Sequence, residues 1–273
     1  MVDLPSGTVT FVFSDIEDST ALLKRTGDAD YATLLAVHRR LVRDIFSAHD
    51  GHEIDTQGDA FFYSFIRARQ AVAAAVEVQR AHVKASWPGD LAVRVRLGLH
   101  TGEPAVGDEG YTGMDVVRAA RIAALATGGQ ILLSDTTRAI AANVLPDGVR
   151  LHALGDRQLK GVDRPEPLWA LVLDEVAADP EPPPQPAAAE ADEAAGRSMP
   201  FRDLVERATA SIQSSVLAEL ERSLPGGRPE APPPRSVTRE IDRLHRLRER
   251  GALTEEQYNR LVEKLVAGDG AGS

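Results

Sequence analysis

Residues 11–20 read FVFSDIEDST. A mostly apolar run, Phe11 to Ser14, leads into Asp15; two more acids and a Ser-Thr pair follow. With the residues before it, TVTFVFS reads as a buried strand, rich in β-branched and aromatic side chains. A carboxylate at the end of such a strand has two readings. Asp18, Ser19 or Thr20 caps a helix beginning near Ala21, or Asp15 holds a metal ion.

Outward from this stretch the chain alternates helices and strands. From Asp30 to Ala48 the residues Leu34, Leu35, Val42, Ile45 and Phe46 recur at helical spacing. GHEIDTQGDAFFYSF, residues 51–65, reads as a hairpin turning at or near Gln57-Gly58. Ala68 to Val83 is an alanine-rich helix, and LAVRVRLGLH, residues 91–100, alternates as a strand. A loop with Gly102, Gly107, Gly110 and Gly113 precedes a helix from Asp115 to Ala126, which Gly128-Gly129 stops. QILLS is a short strand, Asp135 is placed to cap the next helix, and residues 150–173 read as three short strands. Without a strict parallel repeat, the expected class is α+β.

Asp59 resembles Asp15 in its setting, a carboxylate at a strand edge beside a turn. A hairpin adjacent to the first strand would bring the two together, and a divalent cation relieves the repulsion of paired carboxylates. Mg²⁺ favours one or two carboxylates with phosphate oxygens and water, and two such ions suit an in-line phosphoryl displacement. His100, at the end of LGLH, reads more simply as a strand-end histidine satisfied by backbone than as a ligand. Zinc ligand spacing, a Walker loop and a GxSxG elbow are absent from the sequence.

Composition excludes several classes. The net charge of −10 argues against general nucleic-acid binding. With no cysteine among 273 residues, disulfides and thiolate metal sites are ruled out. The N-terminus lacks the pattern of a signal peptide, and no apolar run reaches the ~18–20 residues of a membrane span. A soluble, cytoplasmic protein is expected.

After Asp174 the texture changes. PEPPPQPAAAEADEAAG reads as a disordered linker. Phe201, Leu204, Val205, Ala208, Ile212, Val216, Leu220 and Leu224 then form one stripe of an amphipathic helix. Its polar face mixes charges (Arg202, Asp203, Glu206, Arg207), which favours a partner helix over a membrane surface. GGRPEAPPPR is a second linker, and the last segment reads as a helical pair with Gly251 between and a Thr254/Gln257 capping box.

Five ordered motifs, FVFSDIEDST, TQGDAFFYSF, VRVRLGLHTGEP, DVVRAARIAALATGGQILLS and LKGVDRPEPLWAL, resemble the catalytic domain of class III adenylate/guanylate cyclases. The resemblance covers residues 6–174 and implies a ferredoxin-like α+β core. It implies a head-to-tail homodimer with shared sites that turns a nucleoside triphosphate, ATP by default, into a cyclic 3′,5′-monophosphate and pyrophosphate. Two Mg²⁺ or Mn²⁺ ions would be held by Asp15, Asp59 and the carbonyl of Ile16. Backbone amides from Glu17, Asp18, Ser19 and Thr20 would face the triphosphate. Arg121 would stabilise the transferred phosphate in the other subunit's site, and Lys160 lies near the position of the family's triphosphate-contacting lysine.

Three positions depart from the family. Asp55 replaces a purine-selecting lysine, Gly110 an adenine-reading aspartate or threonine, and Val117 the ribose-orienting asparagine. A weakened, nucleotide-binding regulator and one half of a heterodimeric cyclase are therefore the alternatives. Residues 241–266 resemble a short C-terminal helical (SHOCT-like) module of bacterial proteins, implying self-association or a protein partner. The expected divisions are 6–174 catalytic domain, 175–198 linker, 199–225 amphipathic helix, 226–235 linker and 236–267 helical pair. With the core beginning almost at residue 1, no sensor domain is expected upstream.

Overall fold

The computed structural model describes residues 4–107 and 110–175, together with Leu204 and Arg260. The chain divides into two compact units, Met1–Thr209 and Ala210–Ser273. Of the second unit Arg260 alone is described; it is helical and exposed. Both expected linkers and the C-terminal helical pair otherwise lie outside the described residues. Of the amphipathic stripe Leu204 is described, in a helical position and fully buried.

The first unit opens with β1 (Val9–Ile16), every residue of which is buried because the sheet is covered on both faces. Helices α1 (Ser19–Thr26) and α2 (Asp28–Ala48) follow, then the hairpin β2 (His52–Gln57) and β3 (Ala60–Phe65). Helix α3 (Ala68–Lys84) leads to β4 (Val95–Gly102), and a small ribbon, β5 (Ala105–Gly107) and β6 (Gly110–Thr112), to α4 (Met114–Leu125). The unit closes with β7 (Ile131–Ser134), α5 (Asp135–Ala141), β8 (Val149–Arg157) and β9 (Glu166–Leu173).

The seven long strands form one sheet in the order β2-β3-β1-β4-β7-β9-β8. Its first four strands are antiparallel throughout, with β1 between β3 and β4. With α1–α2 and α3 as crossovers, this is a ferredoxin-like βαββαβ arrangement. β7 adds parallel to β4, the geometry its α4 crossover requires. The fold is α+β, as the sequence implied.

One face carries the main core, where Val12, Ile16, Phe61, Phe65, Leu97 and Leu99 meet Leu34, Val42, Phe46, Val72 and Val76 of α2 and α3. On the other face α4 lies directly on β4: a Cβ added to Gly98 would stand 2.2 Å from the Ala123 backbone nitrogen. Beside it Phe13 and Phe62 stack at 4.2 Å. Among the described residues no helix is long and apolar enough to cross a membrane.

Several local expectations change. Helix α1 begins at Ser19, with Asp18 at the N-cap in a left-handed conformation (φ 51°, ψ 35°) and no side-chain cap bond. The tail forms two long strands rather than three short ones, because the β-bulge between Ala153 and Gly155 keeps β8 paired to β9 along its length. The glycine loop contains the β5–β6 ribbon. Asp135 does not cap α5; Ser134 does, its Oγ accepting the Thr137 N–H at 3.3 Å. Ser134 Oγ also lies 2.9 Å from His100 Nδ1, in a fully buried setting. Ser134→Ala is expected to cost about 1–2 kcal/mol by urea unfolding, from the lost cap and an imidazole nitrogen left without its partner.

Candidate active site

Asp15 sits near the end of β1 on the face that also carries Phe11 and Phe13, and is fully buried. The β1–β4 register sets it opposite Arg96. Arg96 Nε donates to Asp15 Oδ1 at 2.5 Å and Nη2 donates to Oδ2 at 2.8 Å. The arginine side chain is 1% exposed. Two planar forks thus meet, the strongest form of charge-assisted hydrogen bonding.

Asp59 occupies the turn between β2 and β3 and is also fully buried. Its Oδ2 accepts the backbone N–H of Ile16 at 2.9 Å, which joins the turn to the residue after Asp15. Its Oδ1 is buried without a hydrogen-bond partner among the described residues. Burial first, and then the negative charge of Asp15, push the Asp59 carboxyl up to about 7, against the pull of nearby donors, the Ile16 N–H first among them.

Helix α2 holds this turn from behind. Arg39 Nε donates to the Gly58 carbonyl at 2.8 Å, and His38 Nε2 lies 2.9 Å from the Asp59 carbonyl. His38 Nδ1 lies 2.9 Å from His82 Nε2, and His82 Nδ1 lies 2.8 Å from the Val78 carbonyl. Burial drives His38 down to about 3 and His82 to about 4, so both rings are neutral near pH 7. Two neutral imidazoles carry two N–H groups for three contacts, so one contact in the chain lacks a proton.

The predicted phosphate-facing amides are only partly available. The Glu17 N–H is spent on the Arg94 carbonyl at 2.9 Å, a correction to the expected set. The Glu17 carboxylate accepts the Gly128 N–H at 2.6 Å. The first helical bond of α1 runs from Leu22 N–H to the Asp18 carbonyl, which leaves the amides of Ser19, Thr20 and Ala21 as its unspent first-turn donors. A surface cavity of about 330 Å³ opens beside them, lined by Glu17, Asp18, Ala21, Arg25 and Arg94 among others. Neither Asp15 nor Asp59 lines it.

The remaining predicted residues stand on other elements. Val117 and Arg121 lie one turn apart on α4, both half-buried. Neighbouring Arg118 is tied to Asp115 at 2.9 Å and Glu166 at 3.3 Å. Lys160 is exposed in the turn between β8 and β9. The Asp55 carboxylate accepts the N–H of the next residue, Thr56, at 2.8 Å. Gly110 opens β6. His100 is held by side chains, not by backbone as expected: Ser134 on one side and Asp115 at 3.1 Å on the other.

A sheet of this order, ending in two buried carboxylates linked through Ile16, can be compared with known proteins. The family described as "Adenylate and Guanylate cyclase catalytic domain" matches residues 2–172. The chain belongs to this family. Among curated proteins, an uncharacterized protein of Mycobacterium tuberculosis is 37% identical over 171 residues, covering 62% of this chain and 56% of that protein. An adenylate cyclase of Mycosarcoma maydis is 29% identical, over 63% of this chain and 10% of its own length. The chain thus spans about half the length of the first relative and a tenth of the second. Among solved structures, a monomeric adenylate cyclase of Trypanosoma brucei is 26% identical with a TM-score of 0.55, covering 62% of this chain and 91% of that one.

Within this cyclase domain, sequence reasoning missed Arg96. The alternation of LAVRVRLGLH marks it only as one strand residue among several. Its role follows from β1–β4 pairing, which no local pattern announces. His38 and His82 were missed because they read as ordinary helix positions.

Proposed function

We propose that this chain is a nucleotidyl cyclase that converts a nucleoside triphosphate, ATP by default, to a cyclic 3′,5′-monophosphate and pyrophosphate. The observation that carries the reading is the carboxylate pair: Asp15 and Asp59, both buried, meet through Ile16, and Asp59 Oδ1 has no hydrogen-bond partner among the described residues. An unpartnered buried carboxylate oxygen beside a second acid fits a divalent cation. Asp15, Asp59 and the Ile16 carbonyl are the residues to hold Mg²⁺ or Mn²⁺, with two ions in the full site. Such an ion would offset the charge of phosphate oxygens and of an attacking ribose oxygen. Among the described residues no group of three or more acidic, His or Cys side chains forms an alternative cage.

The chain's own residues divide the remaining work. The amides of Ser19, Thr20 and Ala21 face the triphosphate with the partial positive charge of a helix start. Arg121, contributed across a homodimer, stabilises charge on the transferred phosphate. Lys160 adds a cation to the triphosphate.

Asp55, Gly110 and Val117 weaken base and ribose recognition. Val117 has no polar atom where a hydrogen bond to ribose is needed, and the Asp55 carboxylate folds back onto its own strand. This favours a second reading, a weakly active nucleotide-binding regulator, or a heterodimer half whose partner supplies the missing groups. Full-length protein with ATP or GTP and Mn²⁺, assayed for cyclic nucleotide beside Asp59→Ala, separates the readings. Product absent, or unchanged in the variant, sinks the enzyme; a melting temperature raised by Mg·ATP without product supports the regulator. Val117→Asn is expected to raise turnover roughly 10²-fold, the worth of one oriented hydrogen bond in a transition state.

A further inference from the structure

The Asp15/Asp59 site holds four carboxylate oxygens, and three are engaged by N–H donors of the protein. Arg96 takes both oxygens of Asp15, at 2.5 and 2.8 Å, and Ile16 takes Asp59 Oδ2 at 2.9 Å. Asp59 Oδ1 remains. We infer that Arg96 is the resident counter-ion of this site, and that a divalent cation gains Asp15 only by displacing the guanidinium from it. Arg96 therefore controls cation affinity, and Asp59 is the carboxylate a cation meets first. The inference rests on reading Asp15 and Asp59 as cation ligands.

The physical case has three parts. First, the side chain cannot drift off the pair at leisure: Arg96 and Asp15 are neighbours on adjacent strands, 1% and 0% exposed, so no water replaces a lost contact cheaply. Second, a guanidinium keeps its charge at every working pH and spans both carboxylate oxygens at once, whereas an ammonium is a compact point charge with no planar fork. Third, a divalent ion and a guanidinium on one carboxylate repel each other strongly in so buried a place. Arg96 also feels the negative charges of Glu17 and Asp59. A released guanidinium therefore has other acids to face, which keeps the exchange reversible.

The test uses the full chain without nucleotide and Mn²⁺ as the probe, with free Mn²⁺ measured by electron paramagnetic resonance and melting followed in parallel. Arg96→Gln is expected to bind Mn²⁺ at least about tenfold more tightly than wild type. Its melting temperature should fall without Mn²⁺ and recover with it. Arg96→Lys keeps the charge and loses the fork, and should bind with intermediate affinity. That variant also serves if Arg96→Gln does not fold. An Arg96→Lys protein with wild-type affinity, while Asp59→Asn has lost binding, overturns the inference and leaves the carboxylate site standing. Asp59→Asn binding Mn²⁺ as wild type does overturns the ligand reading itself.

Discussion

Asp59→Asn is expected to make the metal-free protein more stable at pH 8, although it removes a residue proposed to be essential. The folded protein holds the Asp59 carboxyl at about 7, against an ordinary value of 3.8. Below 3.8 the group is protonated in both states and costs nothing. Between 3.8 and 7 the unfolded chain has released the proton that the folded chain retains, so rising pH favours unfolding. Above 7 the full penalty is present, on the order of 4 kcal/mol for a shift of this size. Asparagine carries no charge and keeps an acceptor for the Ile16 N–H. The readout is the difference in melting temperature between wild type and variant across pH 5–8.5 in chelator. His38 and His82, depressed to about 3 and about 4, act in the opposite sense, losing stability as pH falls below 6.5. They are common to both proteins and cancel in the difference. The gap should widen as pH rises from 5 toward 7 and level off above it, and Mn²⁺ should close it by stabilising wild type alone. A variant no more stable than wild type at pH 8 would show that Asp59 is not a strained charge.

Gly98→Ala is expected to be the most disruptive small substitution in the described domain. The new Cβ would stand 2.2 Å from the Ala123 nitrogen and 2.3 Å from its Cα, both backbone atoms of α4. Backbone cannot rotate aside, so the whole helix must lift from β4. Overpacking of this kind costs about 3 kcal/mol or more, roughly 10 °C in Tm for a domain of this size. Gly110→Ala provides the comparison. Nothing lies within 4 Å of its added Cβ, and only its φ of 118° opposes the change, a strain of about 1–3 kcal/mol. Urea unfolding of both, with hydrogen exchange along α4, checks the argument. Equal losses would mean that α4 does not seat on β4 as closely as described. Lifting α4 would also move Val117 and Arg121, so activity should fall with stability in Gly98→Ala.

Much of the fold was legible because its elements are amphipathic or wholly apolar over their full length. The apolar positions of α2 recur at helical spacing, and β4 carries an alternation that needs no tertiary information. Legibility failed at the edges of elements. Ser134, not Asp135, caps α5, since capping depends on the φ/ψ of one residue rather than on composition. The tail from Arg150 to Leu173 reads as three strands because a bulge between Ala153 and Gly155 interrupts the alternation without ending the pairing.

The candidate site divides along the same line. The sequence alone determined that two carboxylates stand at strand ends, one after FVFS and one after Gln57-Gly58, and that Val117, Gly110 and Asp55 are the residues at the three positions proposed, from the family resemblance, to read base and ribose. These are properties of residue type and local order, which a chain carries with it unfolded. Only the tertiary structure decided that Arg96 faces Asp15 across 81 residues, that the Glu17 amide is spent on Arg94, and that Asp59 holds its proton to about 7. Strand register and desolvation are non-local: they depend on what is brought alongside a residue, and no window of sequence contains both partners.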